Sequence, residues 1–356
     1  MKPLSFIIIG SGWRAMFYVR IAKRFPELFS LKYLLCRKEE KAEQIRKEWK
    51  IPVTLSIEEC VKAAPDFVVV AVSKNSIFEV TKEWALKGFP VLCETPAAMT
   101  VDQLQQLWEL KEKHGVRIQV AEQYIRYPVL AAGLKRMQDR QVSEPYVLDL
   151  SVAHDYHGVS LIRHMLRSGI EKVRLTGKTY SFKVTETDSR YGAVTDGSVK
   201  QRDRTRITME FASGKFAFYD FSGVQYHSFI RSRHLNVQGQ NFEWNDTVFR
   251  YVDERGEAQT EQLLPYVDET YRMLVTEELR EICGRWNPAL TLEEAQDEYA
   301  IATMMLDMRR YLEQGIEIYP LAEALEDAYL WLLMQEAAEN PGSTVESVRM
   351  PWHPAG

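Results

Sequence analysis

Residues 6–15 read Phe6-Ile7-Ile8-Ile9-Gly10-Ser11-Gly12-Trp13-Arg14-Ala15, an apolar run that ends in a G-x-G-x-x-A turn. A run with no polar alternation predicts a strand buried on both faces, as in a parallel sheet covered by helices. Gly10 permits the tight turn, Gly12 lets backbone approach a pyrophosphate, and Ala15 is small enough for the next helix to pack on the strand. Ala15, Val19 and Ala22 fall on one face at helical spacing, so that helix is itself predicted. Small residues also make ordinary strand-to-helix turns. Here a second strand at 31–35 completes the unit, and dinucleotide binding is predicted, with Gly10, Ser11, Gly12, Trp13 and Arg14 against the cofactor.

The same rhythm continues through residue 122. Strands are predicted at 31–35, 67–72, 90–93 and 117–121, and helices at 39–49, 77–87 and 101–114, with Gly88 and Gly115 at helix ends. Regular βα alternation implies a doubly wound parallel sheet with right-handed crossovers. After about residue 145 the pattern changes. Ile207, Met209 and Phe211 alternate with polar residues, 212–215 can turn, and Phe216 and Phe218 alternate again, which predicts an antiparallel hairpin. Further strands are expected near 146–153, 172–184 and 228–238, and helices at about 268–284, 292–314 and 320–339. The fold class expected is α/β, with a Rossmann domain at 1–122 and an α+β domain with an open, largely antiparallel sheet at 123–356. The C-terminal helices have the option of packing back on the first domain.

Composition narrows the partners. A chain of 356 residues favours about two domains, and 46% hydrophobic with 27% charged residues is ordinary for a globular protein. A net charge of −5 argues against nucleic-acid and membrane-surface partners, which select basic patches. No apolar run approaches the ~20 residues of a membrane span. The four cysteines, Cys36, Cys60, Cys93 and Cys283, lack metal-like spacing and read as free thiols in a reducing cytoplasm.

The residue ending the second strand meets the adenosine ribose: a carboxylate selects NAD, and an arginine accommodates the extra phosphate of NADP. This strand ends Leu35-Cys36-Arg37-Lys38, with no acid before Glu39. NADP is therefore expected, with NAD as the alternative, and Cys36, Arg37 and Lys38 are assigned to the cofactor. Two solvated cations at a helix start would look the same. Ser73, Lys74 and Asn75 follow the third strand, where ligands sit at the carboxyl ends of a parallel sheet.

With Glu94-Thr95-Pro96 after the fourth strand and Arg126-Tyr127-Pro128 after the fifth, the chain resembles the glucose–fructose oxidoreductase / inositol dehydrogenase (Gfo/Idh/MocA) family. The resemblance extends to an Asp/His segment at 155–157 and to the sheet-rich second domain. It implies a frequently cis Glu-x-Pro peptide and NAD or NADP in the first domain, with Glu94, Pro96 and Gln123 near it. It also implies a sugar, cyclitol or related substrate in the second domain, whose sheet makes the interface of a homodimer or homotetramer. The family's Glu-Lys-Pro lysine is replaced here by Thr95. A lysine can shuttle a proton, whereas a threonine hydroxyl donates a hydrogen bond but is no base near neutral pH.

The proton-transfer role must then lie elsewhere. Tyr124 follows the fifth strand, and His154-Asp155-Tyr156-His157-Gly158 is a compressed version of the family's Asp-x-x-x-His pattern. Asp155 and His157 fall on one side if the stretch is extended, and a carboxylate beside an imidazole raises its basicity. The catalytic set expected is His157, Asp155, Tyr124 and Thr95, with His157 the base. If 160–167 is helical, His164 sits two turns beyond His157. A metal held by His154, Asp155, His157 and His164 is not favoured, because their spacing is irregular. His154, Tyr156, Arg126, Asp188, Arg190, Tyr191, Arg231 and Arg233 are assigned to the substrate, with Tyr191, Tyr226 and Trp244 as aromatic platforms. These polar clusters read equally as exposed loops. The function expected is hydride transfer to or from a hydroxyl or keto carbon of a sugar, cyclitol or glycoside. Two alternatives remain: a redox-neutral glycoside-cleaving enzyme with tightly held NAD, and a non-catalytic cofactor-binding sensor.

Overall fold

The computed structural model describes residues 2–138, 142–189, 192–284 and 294–354. The chain separates into two compact units. The first runs to Gln123 and takes in Asp297–Tyr329 and Met350–His353; the second holds Tyr124–Gln296 and Leu330–Arg349. The division at 122/123 therefore does not run unbroken to the C terminus, because two later segments return to the first unit.

The first unit is built on six parallel strands: β1 (Leu4–Ile9), β2 (Phe29–Leu35), β3 (Val53–Thr54), β4 (Phe67–Val70), β5 (Val91–Cys93) and β6 (Ile118–Val120). Their order is β3-β2-β1-β4-β5-β6, the doubly wound arrangement that reverses between β1 and β4. Every residue of β1 and of β4 is buried, as the unbroken apolar runs require. Between the strands come α1 (Trp13–Arg24), α2 (Glu39–Trp49), α3 (Ile57–Lys62), α4 (Lys74–Leu86) and α5 (Val101–His114). Two details depart from the sequence expectation. The strand expected at 67–72 stops at Val70, and α4 starts at Lys74 with Ser73 as its N-cap, so Lys74 and Asn75 are first-turn helix residues rather than loop. β3 and α3 are too short to carry a periodic signal.

The second unit opens with α6 (Pro128–Met137), β7 (Pro145–Ser151) and α7 (Asp155–Leu166). β8 (Val173–Thr185) follows, and β9 (Asp188–Ser189) and β10 (Gly192–Ala193) form a separate two-stranded ladder. Next come β11 (Val199–Phe211), β12 (Phe216–Phe221), β13 (His234–Gly239), β14 (Phe242–Asn245), β15 (Val248–Val252) and β16 (Ala258–Gln262). In chain order α8 (Glu277–Gly284), α9 (Glu294–Gln314) and α10 (Leu321–Glu339) follow before the edge strand β17 (Val345–Glu346), with α9 from Asp297 and α10 as far as Tyr329 belonging to the first unit. The large sheet has nine strands in the order β16-β15-β14-β13-β7-β12-β11-β8-β17 and is antiparallel except for the β7–β12 pair. Leu148, Leu150, Ile207, Met209 and Ala217 share its buried face, each removing a side chain from water for roughly 1.5–3 kcal/mol in the larger cases. α7 lies against that face: a Cβ on Gly158 would fall 2.5 Å from the Tyr219 ring, so only glycine allows this approach. The strand expected at 228–238 begins at His234, because a 3₁₀ turn at Gly223–Tyr226 and a loop come first. Among the described residues no helix is long and apolar enough to cross a membrane.

Candidate functional site

In the first unit the glycine turn opens onto a cleft of about 680 Å³. Gly10 through Arg14 form one wall, Leu35, Arg37, Lys38 and Lys41 a second, and Ser73, Ser76, Val80 and Trp84 a third. The cleft therefore lies at the carboxyl ends of β1, β2 and β4, where the strand order reverses. Gly12 is the N-cap of α1 and makes no side-chain cap bond, and the first turn of α1 carries no acid. Its leading N–H groups are thus available to an anion, which the helix dipole also favours. Among the described residues, its sequence neighbours aside, no atom lies within 4 Å of a Cβ built on Gly12, which leaves open space beside that backbone for a pyrophosphate. The residues present suit a dinucleotide.

Several residues assigned to the cofactor stand apart from those walls. Cys36 is buried rather than facing the cleft, and burial pushes its thiol up. Glu94 is also buried and accepts a 2.7 Å hydrogen bond from the Tyr18 hydroxyl; burial raises its carboxyl above the usual range, against the opposing pull of Arg14. Arg14 donates to Asp297 at 3.2 Å, and Gln123 Nε2 donates to the same carboxylate at 3.3 Å. Glu94, Arg14 and Gln123 thus tie the strand ends to α9 through Asp297, a residue that no local pattern marks. The Oε1 of Gln123 is buried without a hydrogen-bond partner among the described residues, an acceptor that a bound molecule's N–H can satisfy. The Thr95–Pro96 peptide is cis, as the resemblance implied.

In the second unit the sequence-predicted residues converge around His157, which is 5% exposed. Its ring lies 4.4 Å from that of Tyr124, 5.3 Å from His154 and 5.6 Å from Tyr156. The Tyr226 hydroxyl sits 3.1 Å from that of Tyr124 and 2.6 Å from His154 Nδ1, and it accepts the His154 backbone N–H at 3.0 Å. Two proton arrangements satisfy this chain. Tyr124 donates to Tyr226, which donates to Nδ1; or Nδ1–H donates to Tyr226, which donates to Tyr124. A proton can therefore shift between phenol and imidazole without leaving a buried group unpaired. Burial pushes the Tyr226 phenol up to about 12, so it stays a neutral relay at physiological pH. Tyr226 was foreseen only as a platform. Its signal was position, in the turn following β12.

The extended backbone on which the Asp155–His157 alignment was conditioned is not what the structure has. The stretch is the first turn of α7, not extended, so residues two apart point about 200° away from each other. Asp155 has φ 47°, its N–H donates to the Tyr219 hydroxyl, and it lines a separate small cavity with Thr179, Thr205 and Trp331. His164 bonds back through Nδ1 to the Ser160 carbonyl at 2.8 Å and lines another cavity with Arg167. No metal-type cluster occurs among the described residues. Arg126 stacks over Tyr271 at 5.9 Å. Trp244 is fully buried against Gly133 and is core, not a platform. Arg190 and Tyr191 lie outside the described residues.

Arg231, Arg233 and Asp188 share a cavity of about 670 Å³ with Tyr226. Arg233 is only 5% exposed, and its guanidinium lies 5.4 Å over the Tyr226 ring. Among the described residues no carboxylate pairs with it; its charged form is opposed by burial and favoured by Tyr124, Tyr226 and Tyr127. Burying a charge costs several kcal/mol, and a cation–π contact returns about 1–2 kcal/mol. The arginine is therefore not balanced by what surrounds it.

Residues 4–122 match the family described as oxidoreductase family, NAD-binding Rossmann fold. No curated protein has a significantly similar sequence. Solved structures share the fold over nearly the whole chain. A Klebsiella pneumoniae NAD-binding oxidoreductase is 13% identical, covers 98% of this chain and 100% of its own, and has a TM-score of 0.71. An Agrobacterium radiobacter oxidoreductase in complex with NAD+, L-tartaric acid and magnesium is 14% identical over 96% of this chain and 98% of its own, TM-score 0.70. A Sinorhizobium meliloti putative myo-inositol dehydrogenase is 15% identical over 96% and 99%, TM-score 0.65. Over residues 4–122 the chain thus matches the Gfo/Idh/MocA oxidoreductase family model, with its NAD-binding Rossmann fold, and its fold as a whole is that of the solved oxidoreductases above.

Proposed function

We propose that the protein transfers hydride between NADP and a hydroxyl or keto carbon of a sugar, cyclitol or related polyol. The observation that carries this reading is the Tyr124–Tyr226–His154 hydrogen-bonded chain beside His157. Oxidation of a secondary alcohol releases a hydride from carbon and a proton from oxygen. A bound nicotinamide supplies the hydride acceptor. His157 takes the proton in place of the absent lysine, and the phenol–imidazole chain orients the substrate oxygen and carries charge away. Thr95 contributes at most a hydrogen bond. In the reverse direction the same groups deliver the proton to the new alkoxide.

The test begins with the nucleotide. The purified protein is denatured, released dinucleotide is identified by mass, and NADPH and NADH are titrated into the remainder. Selective NADPH binding with turnover on polyols supports the reading. Stoichiometric NAD retained through purification, with no net NADH formed, replaces it with transient-redox chemistry. Arg37 and Lys38 line the cleft with no acid at the end of β2 to take a ribose 2′-hydroxyl. Arg37→Ala combined with Lys38→Ala is accordingly expected to weaken NADPH binding 10- to 100-fold, the equivalent of about 1.5–3 kcal/mol for charge-assisted bonds, with NADH changed little. Equal loss for both nucleotides would remove the NADP preference.

We also infer a homodimer or homotetramer through the uncovered face of the nine-stranded sheet. Tyr180 and Phe218 are exposed there beside Arg204, Arg206 and Asp220. Light scattering of wild type against Tyr180→Asp reads that surface. The four free cysteines fit a reducing cytoplasm.

A further inference from the structure

We infer that the cavity lined by Arg233, Arg231 and Tyr226 is an anion subsite, and that the substrate carries a carboxylate or phosphate group bound there. This rests on the oxidoreductase reading above and specifies its substrate class. Arg233 lines the cavity while nine-tenths of its surface is buried. Its Nη1 has no hydrogen-bond partner among the described residues, and the buried Ser228 Oγ in the same wall has none either. Two residues with unused donors thus line the same cavity. Arg231 adds a second cation, using Nη1 on the neighbouring Ile230 carbonyl at 2.8 Å. Asp188 is the one carboxylate among the described lining residues, and it accepts the Ser189 N–H at 2.7 Å.

The site is built rather than incidental. Gln225 Nε2 holds the Ser232 carbonyl at 2.6 Å and the Ser151 hydroxyl at 2.9 Å, which fixes the chain immediately before Arg233. The Tyr226 ring backs the guanidinium, and the Tyr226 hydroxyl is the centre of the relay. One side chain, Tyr226, therefore belongs both to the wall of this cavity and to the proton path. A neutral sugar would accept hydrogen bonds here but leave the guanidinium uncompensated; an anion does both.

The experiment titrates the full-length protein, saturated with NADPH or NADP, with a panel of hexose and pentose acids, their monophosphates and the neutral parent sugars. Binding is read by calorimetry. Acids or monophosphates are expected to bind at least tenfold more tightly than their neutral parents, and which group wins separates a carboxylate from a phosphate site. Arg233→Gln is expected to abolish that preference, and Arg231→Gln, at a half-buried position, to reduce it severalfold. Should Arg233→Gln fail to fold, Arg231→Gln and the wild-type ratio decide alone. Neutral parents binding as well as charged members, or no charged member binding at millimolar concentration, overturns the subsite. Dinucleotide titration, run separately, reports on the oxidoreductase reading, so either can fail while the other stands.

Discussion

Gly10→Ala is expected to destabilise the first unit by about 3 kcal/mol and to abolish dinucleotide binding. Gly10 has φ 119°, a region closed to residues with a Cβ. A Cβ there would lie 2.2 Å from the Ala71 carbonyl oxygen. That oxygen cannot give way, because the Ala71 N–H is bonded to Ile9 at 2.9 Å and the Gly10 N–H to Leu35 at 3.3 Å. Backbone strain of ~1–3 kcal/mol and overpacking of ~1–3 kcal/mol both apply. Against a total stability of roughly 5–15 kcal/mol this is a large fraction, readable by urea unfolding. Gly12→Ala is the control. Gly12 has φ −80° with open space around it, so the loss of stability should not exceed about 1 kcal/mol. Dinucleotide affinity should nevertheless fall at least tenfold, because the added methyl occupies the space assigned to the pyrophosphate. A Gly12→Ala protein that binds NADPH and NADH like wild type would leave the turn as architecture only.

The contrast between those two glycines also shows what could be read from sequence. β1, its turn and α1 follow from a run of apolar residues and small-residue spacing, both local properties, and the structure reproduces them. The β11–β12 hairpin was legible for the same reason, since alternation at Ile207, Met209 and Phe211 reports which face is buried. Alternation does not report what lies on that face. Trp244 reads as a platform and is core, because the glycine that receives it, Gly133, lies more than a hundred positions away. The Asp155–His157 pairing assumed an extended backbone across three residues, and three residues carry no period. Asp297 is the plainest case: its partners Arg14 and Gln123 are joined to it only by the return of α9 to the first unit. Arg233 was named from its neighbours' chemistry, but the lack of a buried counter-charge among the described residues is a property of packing alone.

His157→Ala is expected to lower kcat by 10²- to 10⁴-fold, the range for loss of a positioned acid–base group, while NADPH affinity stays within threefold of wild type. The second half follows from where the cleft is built: Gly10–Arg14, Arg37, Lys38 and residues of α4 are among its described lining residues, and His157 is not. His157→Gln, which keeps a polar side chain of similar volume, separates lost chemistry from a collapsed pocket; it should lose kcat to the same extent with a melting temperature near wild type. Tyr226→Phe cuts the relay at its centre. It removes the acceptor of the His154 N–H, so it should cost about 1–3 kcal/mol of stability as well as reducing turnover, whereas Tyr124→Phe removes only the outer hydroxyl. Thr95→Ala should change kcat less than threefold, since a threonine hydroxyl takes up no proton near neutral pH. The order of these effects is the test. If Thr95→Ala proves the severe variant and His157→Gln the mild one, the proton does not travel through the imidazole, and the hydroxyl at the lysine position has kept a role that its own chemistry does not explain.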